Sequence, residues 1–173
     1  MYNVMGLMGE EKTNQFLKDF VSSNKFRGRP YPTTSDFYSM LKTRLNPEQL
    51  ELADDQLKRI TLYKNRMVSA KGKKLSNGLF EVRMKVELGK MYVDSLGAGD
   101  KKLPYKGAIQ LALLKEQSPK VKTDVLRLES ILLRDGQEIV WSSKEKPVYA
   151  GLDPLNTLTD ILPEDNRIKI DWE

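Results

Sequence analysis

The spacing of apolar positions changes once along this chain, near residue 66. Before that point, apolar residues recur every three or four positions, as on one face of a helix. After it, they alternate with polar residues, as in a strand with one buried face. The pattern predicts an α+β fold, in which a small N-terminal helical subdomain (residues 1–66) is followed by an antiparallel β-sandwich (67–150). Residues 151–173 are expected to form a C-terminal tail that docks on the sandwich.

Three helices are predicted in the first region. The first spans about 9–23, and its apolar stripe consists of Phe16, Leu17, Phe20 and Val21. Thr33 with Asp36, and Asn46 with Gln49, form capping boxes that predict the starts of the second and third helices. The apolar face of the third helix is predicted to consist of Leu50, Ala53, Leu57 and Ile60.

The strand signal is clearest over residues 80–88. The apolar positions there are Phe80, Val82, Met84, Val86 and Leu88, and they alternate with Glu81, Arg83, Lys85 and Glu87. Asn77-Gly78 just before them is typical of a tight hairpin turn, because both residues tolerate positive φ. The segment at about 67–75 should therefore pair with 80–88.

Later strands follow weaker signals. Asp135-Gly136 predicts a second hairpin, between residues 131–134 and 138–141. Further strands are predicted at 90–93, 108–114 and 125–129. The alternation loses its phase at Ser130, which predicts a bulge or a bend there.

The 173 residues include no histidine and no cysteine. Histidine is the commonest proton shuttle and metal ligand near neutral pH, and the cysteine thiolate is a soft metal ligand and a strong nucleophile. Ser-His-Asp catalysis, Cys-His catalysis and histidine-ligated zinc are thus excluded for this chain acting alone. We expect no catalytic, cofactor-binding or metal-binding residue in it, no tightly held zinc and no hydrolysis of aminoacyl substrates.

The net charge of +5 is unevenly distributed. Residues 1–66 carry 11 basic and 8 acidic side chains, residues 67–150 carry 16 and 10, and residues 151–173 carry 2 and 6. A basic body can bind nucleic acid or an anionic membrane face. Most of these lysines alternate with glutamates or stand alone, so a solvated strand face is the simpler interpretation. Nucleic acid is therefore not an expected partner.

Four residues near the C-terminus resemble a metal loop only in composition. They are Asp153, Asn156, Asp160 and Asp165. A calcium loop needs oxygen ligands at alternate positions and a central glycine, and this spacing does not provide them. We interpret the four as turn and cap residues.

Two segments resemble a known family. Asn24-Lys-Phe-Arg-Gly-Arg-Pro-Tyr-Pro-Thr-Thr-Ser-Asp-Phe, after a Gly-Glu-Glu-Lys helix, resembles the segment that follows the zinc site in aminopeptidase N-like gluzincin metallopeptidases. The tail Tyr149-Ala-Gly-Leu-Asp-Pro-Leu-Asn-Thr-Leu-Thr-Asp, with Pro163-Glu-Asp-Asn, resembles the C-terminal signature of a bacterial branch. In that branch the peptidase-like domain is fused behind an ABC-type permease.

The resemblance implies a role without catalysis. The family's zinc ligands lie in His-Glu-x-x-His and its exopeptidase motif is Gly-x-Met-Glu-Asn, and neither occurs here. The resemblance therefore implies the C-terminal segment of a zinc aminopeptidase-like hydrolase of the bacterial membrane, with Met1 an internal methionine or an artificial start. Zinc would lie only in the missing N-terminal peptidase domain, and membrane contact would come only through the parent protein. The alternative is an independent β-sandwich module that binds a polyanion or a protein partner.

A candidate interface precedes the first helix. It consists of Val4, Met5, Leu7 and Met8. If the chain is cut from a larger protein, this group is a packing face for the missing peptidase domain, through which the fragment would self-associate. The alternative is that these residues fold back onto the chain's own helices.

Overall fold

The structure is a computed structural model and describes residues 5–6, 8–94, 99, 103–116 and 124–173. The predicted α+β fold is confirmed, with helices in the N-terminal part and β-sheets after them. The chain forms two compact units, residues 1–60 and 61–173. This division precedes the predicted boundary at 66, because a first short strand already begins at Ile60.

The helical unit contains α1 (Glu10–Asn24), α2 (Thr34–Lys42) and α3 (Pro47–Leu57). Both predicted capping boxes form. The Asp36 N–H donates to the Thr33 hydroxyl (3.3 Å), and the Gln49 N–H donates to Asn46 Oδ1 (2.9 Å). These bonds satisfy amide donors that the first turn of a helix otherwise leaves unpaired. Local sequence therefore sets where both helices begin.

The core of the helical unit is aromatic and aliphatic. Phe16, Leu41 and Ala53 are fully buried, and Met8 packs with them. The Phe37 ring lies 5.0 Å from the Phe16 ring and 5.1 Å from the Phe20 ring, in edge-to-face contacts.

The predicted apolar face of α3 is wrong at two places. Leu52 is buried although it was not assigned to that face, and Ile60 is not in the helix. Ile60 instead begins the first strand and is 56% exposed. The helix ends at Leu57, and the N–H of its C-cap residue Lys58 donates the last helical hydrogen bond, to the Asp54 carbonyl (2.9 Å).

The described strands of the second unit are β1 (Ile60–Tyr63), β2 (Arg66–Lys74), β3 (Phe80–Glu87), β4 (Gly89–Val93), β5 (Leu103–Pro104), β6 (Lys106–Leu114), β7 (Val125–Arg134), β8 (Glu138–Ser143), β9 (Tyr149–Leu152), β10 (Arg167–Lys169) and β11 (Asp171–Trp172). They form three sheets. Sheet 1 has the strand order β11-β2-β3-β8, sheet 2 the order β10-β9-β6-β7, and sheet 3 the order β1-β4-β5. A short 3-10 helix spans Pro163–Asn166.

The predicted register of β3 is confirmed. Its inward side chains Val82, Met84 and Val86 are fully buried, and so is Leu88 just after the strand. Arg83 and Lys85, between them, are exposed. Sheet 2 contributes the fully buried Leu111, Leu113 and Leu152 to the sandwich unit. The alternation alone thus identifies the buried face.

The first hairpin forms as predicted, but with a different turn. β2 pairs with β3 from Arg66↔Glu87 to Lys74↔Phe80. The Gly78 N–H donates to the Leu75 carbonyl (3.0 Å), and the Leu75 N–H donates to the Leu79 carbonyl (2.8 Å). Gly78 has a φ of 83°, whereas Asn77 does not adopt positive φ. This is a longer loop with a glycine bulge rather than the two-residue turn that Asn-Gly favours.

The predicted second hairpin is wrong. β7 pairs with β6 in sheet 2, and β8 pairs with β3 in sheet 1. The Asp135-Gly136 turn therefore carries the chain from one sheet to the other. Hydrogen bonds of Asp135 hold this crossing in place. The Asp135 carboxylate accepts the Leu88 N–H (2.8 Å) just after β3, and the Asp135 N–H donates to the Tyr105 carbonyl (3.2 Å).

Two further expectations are corrected. β7 runs through Ser130, which pairs with Gln110 without a bulge, and the irregularity in this ladder lies at Leu113/Leu114 instead. Residues 151–173 are not a tail laid on the sandwich, since β9 and β10 belong to sheet 2 and β11 to sheet 1. β11 is parallel to β2, so sheet 1 is mixed. The Trp172 ring lies over Gly72, where a Cβ atom would come within 2.6 Å of the ring.

Candidate functional site

One buried carboxylate organises the Gly-Leu-Asp-Pro segment. Asp153 is 2% exposed and has a φ of 39°. Its carboxylate accepts hydrogen bonds from the Thr157 N–H (2.9 Å) and the Leu158 N–H (2.7 Å), and its own N–H donates to the Gln110 carbonyl (2.7 Å) on β6. Asp153 is thus a turn and cap residue, as predicted, and its carboxylate is occupied by main-chain donors.

Asp160 has a similar role at the next turn. Its Oδ1 atom accepts the Leu162 N–H (2.9 Å), and its Oδ2 atom accepts the Asn65 N–H (3.0 Å) and the Asn166 side-chain amide (3.2 Å). The side chain therefore links the connection between β1 and β2 to the 3-10 helix. It holds the C-terminal segment in the sandwich and offers no free base.

A second carboxylate, Asp165, lies near Asp160. Burial raises the pKa of Asp165, and the charge of Asp160 raises it further. The amide side chains of Asn65 and Asn166 are buried in the same region, at 0% and 2% exposure. Carboxylate and amide oxygens suit hard cations. However, no group of three or more His, Cys, Asp or Glu side chains within the described ranges could hold a metal ion.

A compact polar cluster lies between α2 and α3 in the helical unit. The Tyr38 hydroxyl donates a short hydrogen bond to Asp54, and the Lys58 ammonium lies 3.5 Å from the same carboxylate oxygen. The ammonium also lies 4.0 Å from the centre of the Tyr38 ring. The hydrogen bond from Tyr38 lowers the pKa of Asp54, so this carboxylate is a poor proton acceptor at neutral pH. The cluster ties two helices together.

The candidate interface ahead of α1 is only partly described. Val4 and Leu7 lie outside the described residues, and Met5 is half-buried. Met8 is 8% exposed and packs against Phe16, Leu41 and Ala53. For Met8 the alternative therefore holds, since this side chain is part of the chain's own helical core and not an exposed contact.

Two other surfaces of the helical unit are open. Leu17 and Val21, on the apolar stripe of α1, are 38% and 63% exposed. In the connection after α1, Phe26 is 99% exposed and Tyr31 is 64% exposed. Neither aromatic is among the site residues predicted from the sequence, although aromatic residues among cations in a Gly- and Pro-containing segment are a usable signal.

The outer face of sheet 1 carries a groove with mixed charges. It is lined by Lys71, Gly72, Lys73, Glu81, Arg83 and Glu173. Cross-strand ion pairs join Lys73 to Glu81 (3.1 Å) and Arg66 to Glu87 (2.8 Å). One lining cation, Lys73, is therefore paired with a lining carboxylate. With Glu81 and Glu173 in its wall, the groove lacks the uniform positive potential that a polyanion site needs.

Within the described part of the chain, the helices are too short or too polar to cross a membrane. Comparisons with protein-family models, curated proteins and solved structures find no match to this chain.

Proposed function

We propose that this chain is the non-catalytic C-terminal segment of a membrane-attached, aminopeptidase-like protein of bacteria. In this role its helical unit packs against a zinc peptidase domain encoded upstream of Met1, and supports that domain or narrows access to its cleft. The two resembling segments motivate the proposal. The observation that carries it is the incompletely covered apolar stripe of α1.

The stripe of α1 is buried on one side only. Phe16 is fully buried and Phe20 is half-buried, whereas Leu17 and Val21 remain open to solvent. A helix in a small unit normally turns its whole apolar stripe toward the core, because each aliphatic side chain gains about 1.5–3 kcal/mol on burial. Leu17 and Val21 thus form an edge that suits a further packed domain.

The polar groups of the resembling tail support a structural role. Asp153 and Asp160 direct their carboxylates to main-chain N–H groups, and a hydrogen bond to a charged group contributes about 1.5–3 kcal/mol to stability. This tail resembles the end of the family's chain, and here it closes the sandwich. In the proposed parent, zinc and the catalytic groups belong to the upstream domain.

The proposal can be tested by producing the upstream domain separately and measuring its binding to this chain. We expect Val21→Glu to weaken the complex at least about tenfold, because a carboxylate would be buried without a partner. Val140→Glu is the matched control, since Val140 is 47% exposed on β8 of the sandwich. Equal binding by both variants, with both folded, would contradict the role assigned to α1.

The alternative, a sandwich module that binds a polyanion, predicts a different result. Binding through phosphate contacts weakens steeply as salt rises. The paired charges on sheet 1 favour the first proposal, because Lys73 and Arg66 already have carboxylate partners. A steep salt dependence of oligonucleotide or heparin binding that Lys71→Gln with Arg83→Gln abolishes would favour the alternative.

A further inference from the structure

The connection between α1 and α2 displays an aromatic ring in an unfavourable backbone conformation. We call residues 25–31 the basic loop. α1 closes with the Lys25 N–H donating to the Val21 carbonyl (2.8 Å), and the Arg27 N–H donates to the Asn24 carbonyl (3.2 Å). Within this turn Phe26 has a φ of 61° and is 99% exposed. The turn is therefore ordered, and it holds the ring away from the protein.

Phenylalanine is an unfavourable residue for stability at position 26. Glycine adopts positive φ freely, and asparagine tolerates it, but a bulky aromatic residue rarely does. The side chain also gains nothing from burial, because almost all of its surface faces solvent. Residues kept in such conformations cluster at binding and functional sites. The two features together point to a ligand that takes up the ring.

The charges around Phe26 indicate the chemistry of that ligand. The basic loop contains Lys25, Arg27 and Arg29 and no acidic residue. The nearest carboxylates along the chain are engaged elsewhere. Asp19 accepts from Arg44 (2.8 Å), and Asp36 accepts from the Thr33 N–H (2.7 Å). The three cations flank Phe26 along the chain. The Arg27 guanidinium donates to Asn24 Oδ1 (3.4 Å), and its charge helps to lower the pKa of Asp36, but among the described residues none of the three cations forms an ion pair.

We propose that the basic loop binds the surface of an anionic lipid bilayer. Phe26 enters the boundary between headgroups and acyl chains, Tyr31, which is 64% exposed, lies at headgroup level, and the cations contact lipid phosphates. A bilayer suits this loop better than a protein groove does. It accepts a single protruding ring without a shaped pocket, and its negative surface attracts every nearby cation.

This inference does not rest on the proposed function. The family resemblance implies membrane contact only through the parent protein, whereas the basic loop would give this chain a contact of its own. Each cation near an anionic surface strengthens binding about fivefold, and insertion of one Phe about tenfold or more. Such a site is weak alone, and it would orient a protein that is also held at the membrane by another attachment.

The test is co-sedimentation of the chain with vesicles of phosphatidylcholine, with and without phosphatidylglycerol. We expect binding only to the anionic vesicles. Phe26→Gly should weaken it about tenfold while thermal stability stays equal or rises, because glycine accepts the positive φ. Leu162→Ala, at a residue 51% exposed in the sandwich unit, should leave binding unchanged.

The effect of removing loop cations must be compared with the effect of removing cations elsewhere, because the whole chain is basic. Arg27→Gln with Arg29→Gln should weaken binding more than tenfold, and Lys85→Gln with Lys144→Gln, with the same loss of charge, should have a much smaller effect. Three results would overturn the proposal. They are no binding to anionic vesicles at low salt, unchanged binding by Phe26→Gly, and displacement by inorganic phosphate beyond that by chloride of equal ionic strength. The first would favour an acidic protein partner, and the last a free anion.

Discussion

Neighbouring residues on β3 have opposite surroundings, which allows a direct test of the register. Val82 is fully buried and Arg83 is exposed. Val82→Asp would bury an unpaired carboxylate, and we expect it to remove several kcal/mol of the roughly 5–15 kcal/mol that stabilises a typical domain. Arg83→Asp should cost less than about 1 kcal/mol. Urea unfolding measures both, and equal midpoints would show that the strand faces have been assigned wrongly.

Asp165 makes stability depend on pH in a direction opposite to that of most carboxylates. Its folded-state pKa is raised, first by burial and then by Asp160, so ionisation opposes folding. The cost is absent below the unfolded pKa, near 3.8, and develops as the pH rises through the folded value. Asp165→Asn should therefore raise the melting temperature at pH 7 and lose this advantage in acid.

The control for this pH effect is an exposed carboxylate. Asp171, on β11, is exposed, and Asp171→Asn should change the melting temperature little at either pH. If Asp165→Asn destabilises the protein at pH 7 and Asp171→Asn does not, the Asp165 carboxylate is stabilising as an ion and the assigned direction of its pKa is wrong.

Among the elements, the Asp135-Gly136 turn differs most from what its local sequence predicts. Asp135→Ala removes the acceptor of the buried Leu88 N–H, and we expect a loss of about 1–3 kcal/mol. Asn77→Ala removes the acceptor of the Leu79 N–H in an exposed turn, where water can replace it, and should cost less than about 1 kcal/mol. Thermal unfolding distinguishes them, and a larger loss for Asn77→Ala would argue against the sheet-to-sheet connection.

Whether an element was predicted correctly depends on how far apart in sequence the residues lie whose contacts determine it. The capping boxes of α2 and α3 and the alternation of β3 are local, and the structure contains all of them. The partner of β8 depends on a contact between Asp135 and Leu88, far apart in sequence, so the turn residues alone indicated the wrong pairing. The parallel pairing of β11 with β2 similarly depends on Trp172 fitting over Gly72.

At the scale of the whole molecule, features that depend on local sequence could also be predicted, whereas features that depend on packing could not. The turn and cap roles of Asp153 and Asp160 could be predicted, since short polar side chains favour such roles and Asp153 lies in a Gly-Leu-Asp-Pro segment. The burial of Met8 and the exposure of Phe26 could not be predicted, because neither residue belongs to a periodic apolar pattern in the sequence that would indicate which side faces the core. The sequence likewise does not predict the open side of the α1 stripe, because Phe16 and Val21 belong to the same apolar stripe and only the packing of the unit buries the first and exposes the second.

We propose that this chain works as part of an aminopeptidase-like protein whose chemistry lies upstream. The most direct measurement is the sequence of the genomic DNA immediately before the codon for Met1. We predict an open reading frame that continues in frame and encodes His-Glu-x-x-His with a further glutamate and Gly-x-Met-Glu-Asn. An in-frame stop codon shortly upstream, with translation starting at Met1, would contradict the account.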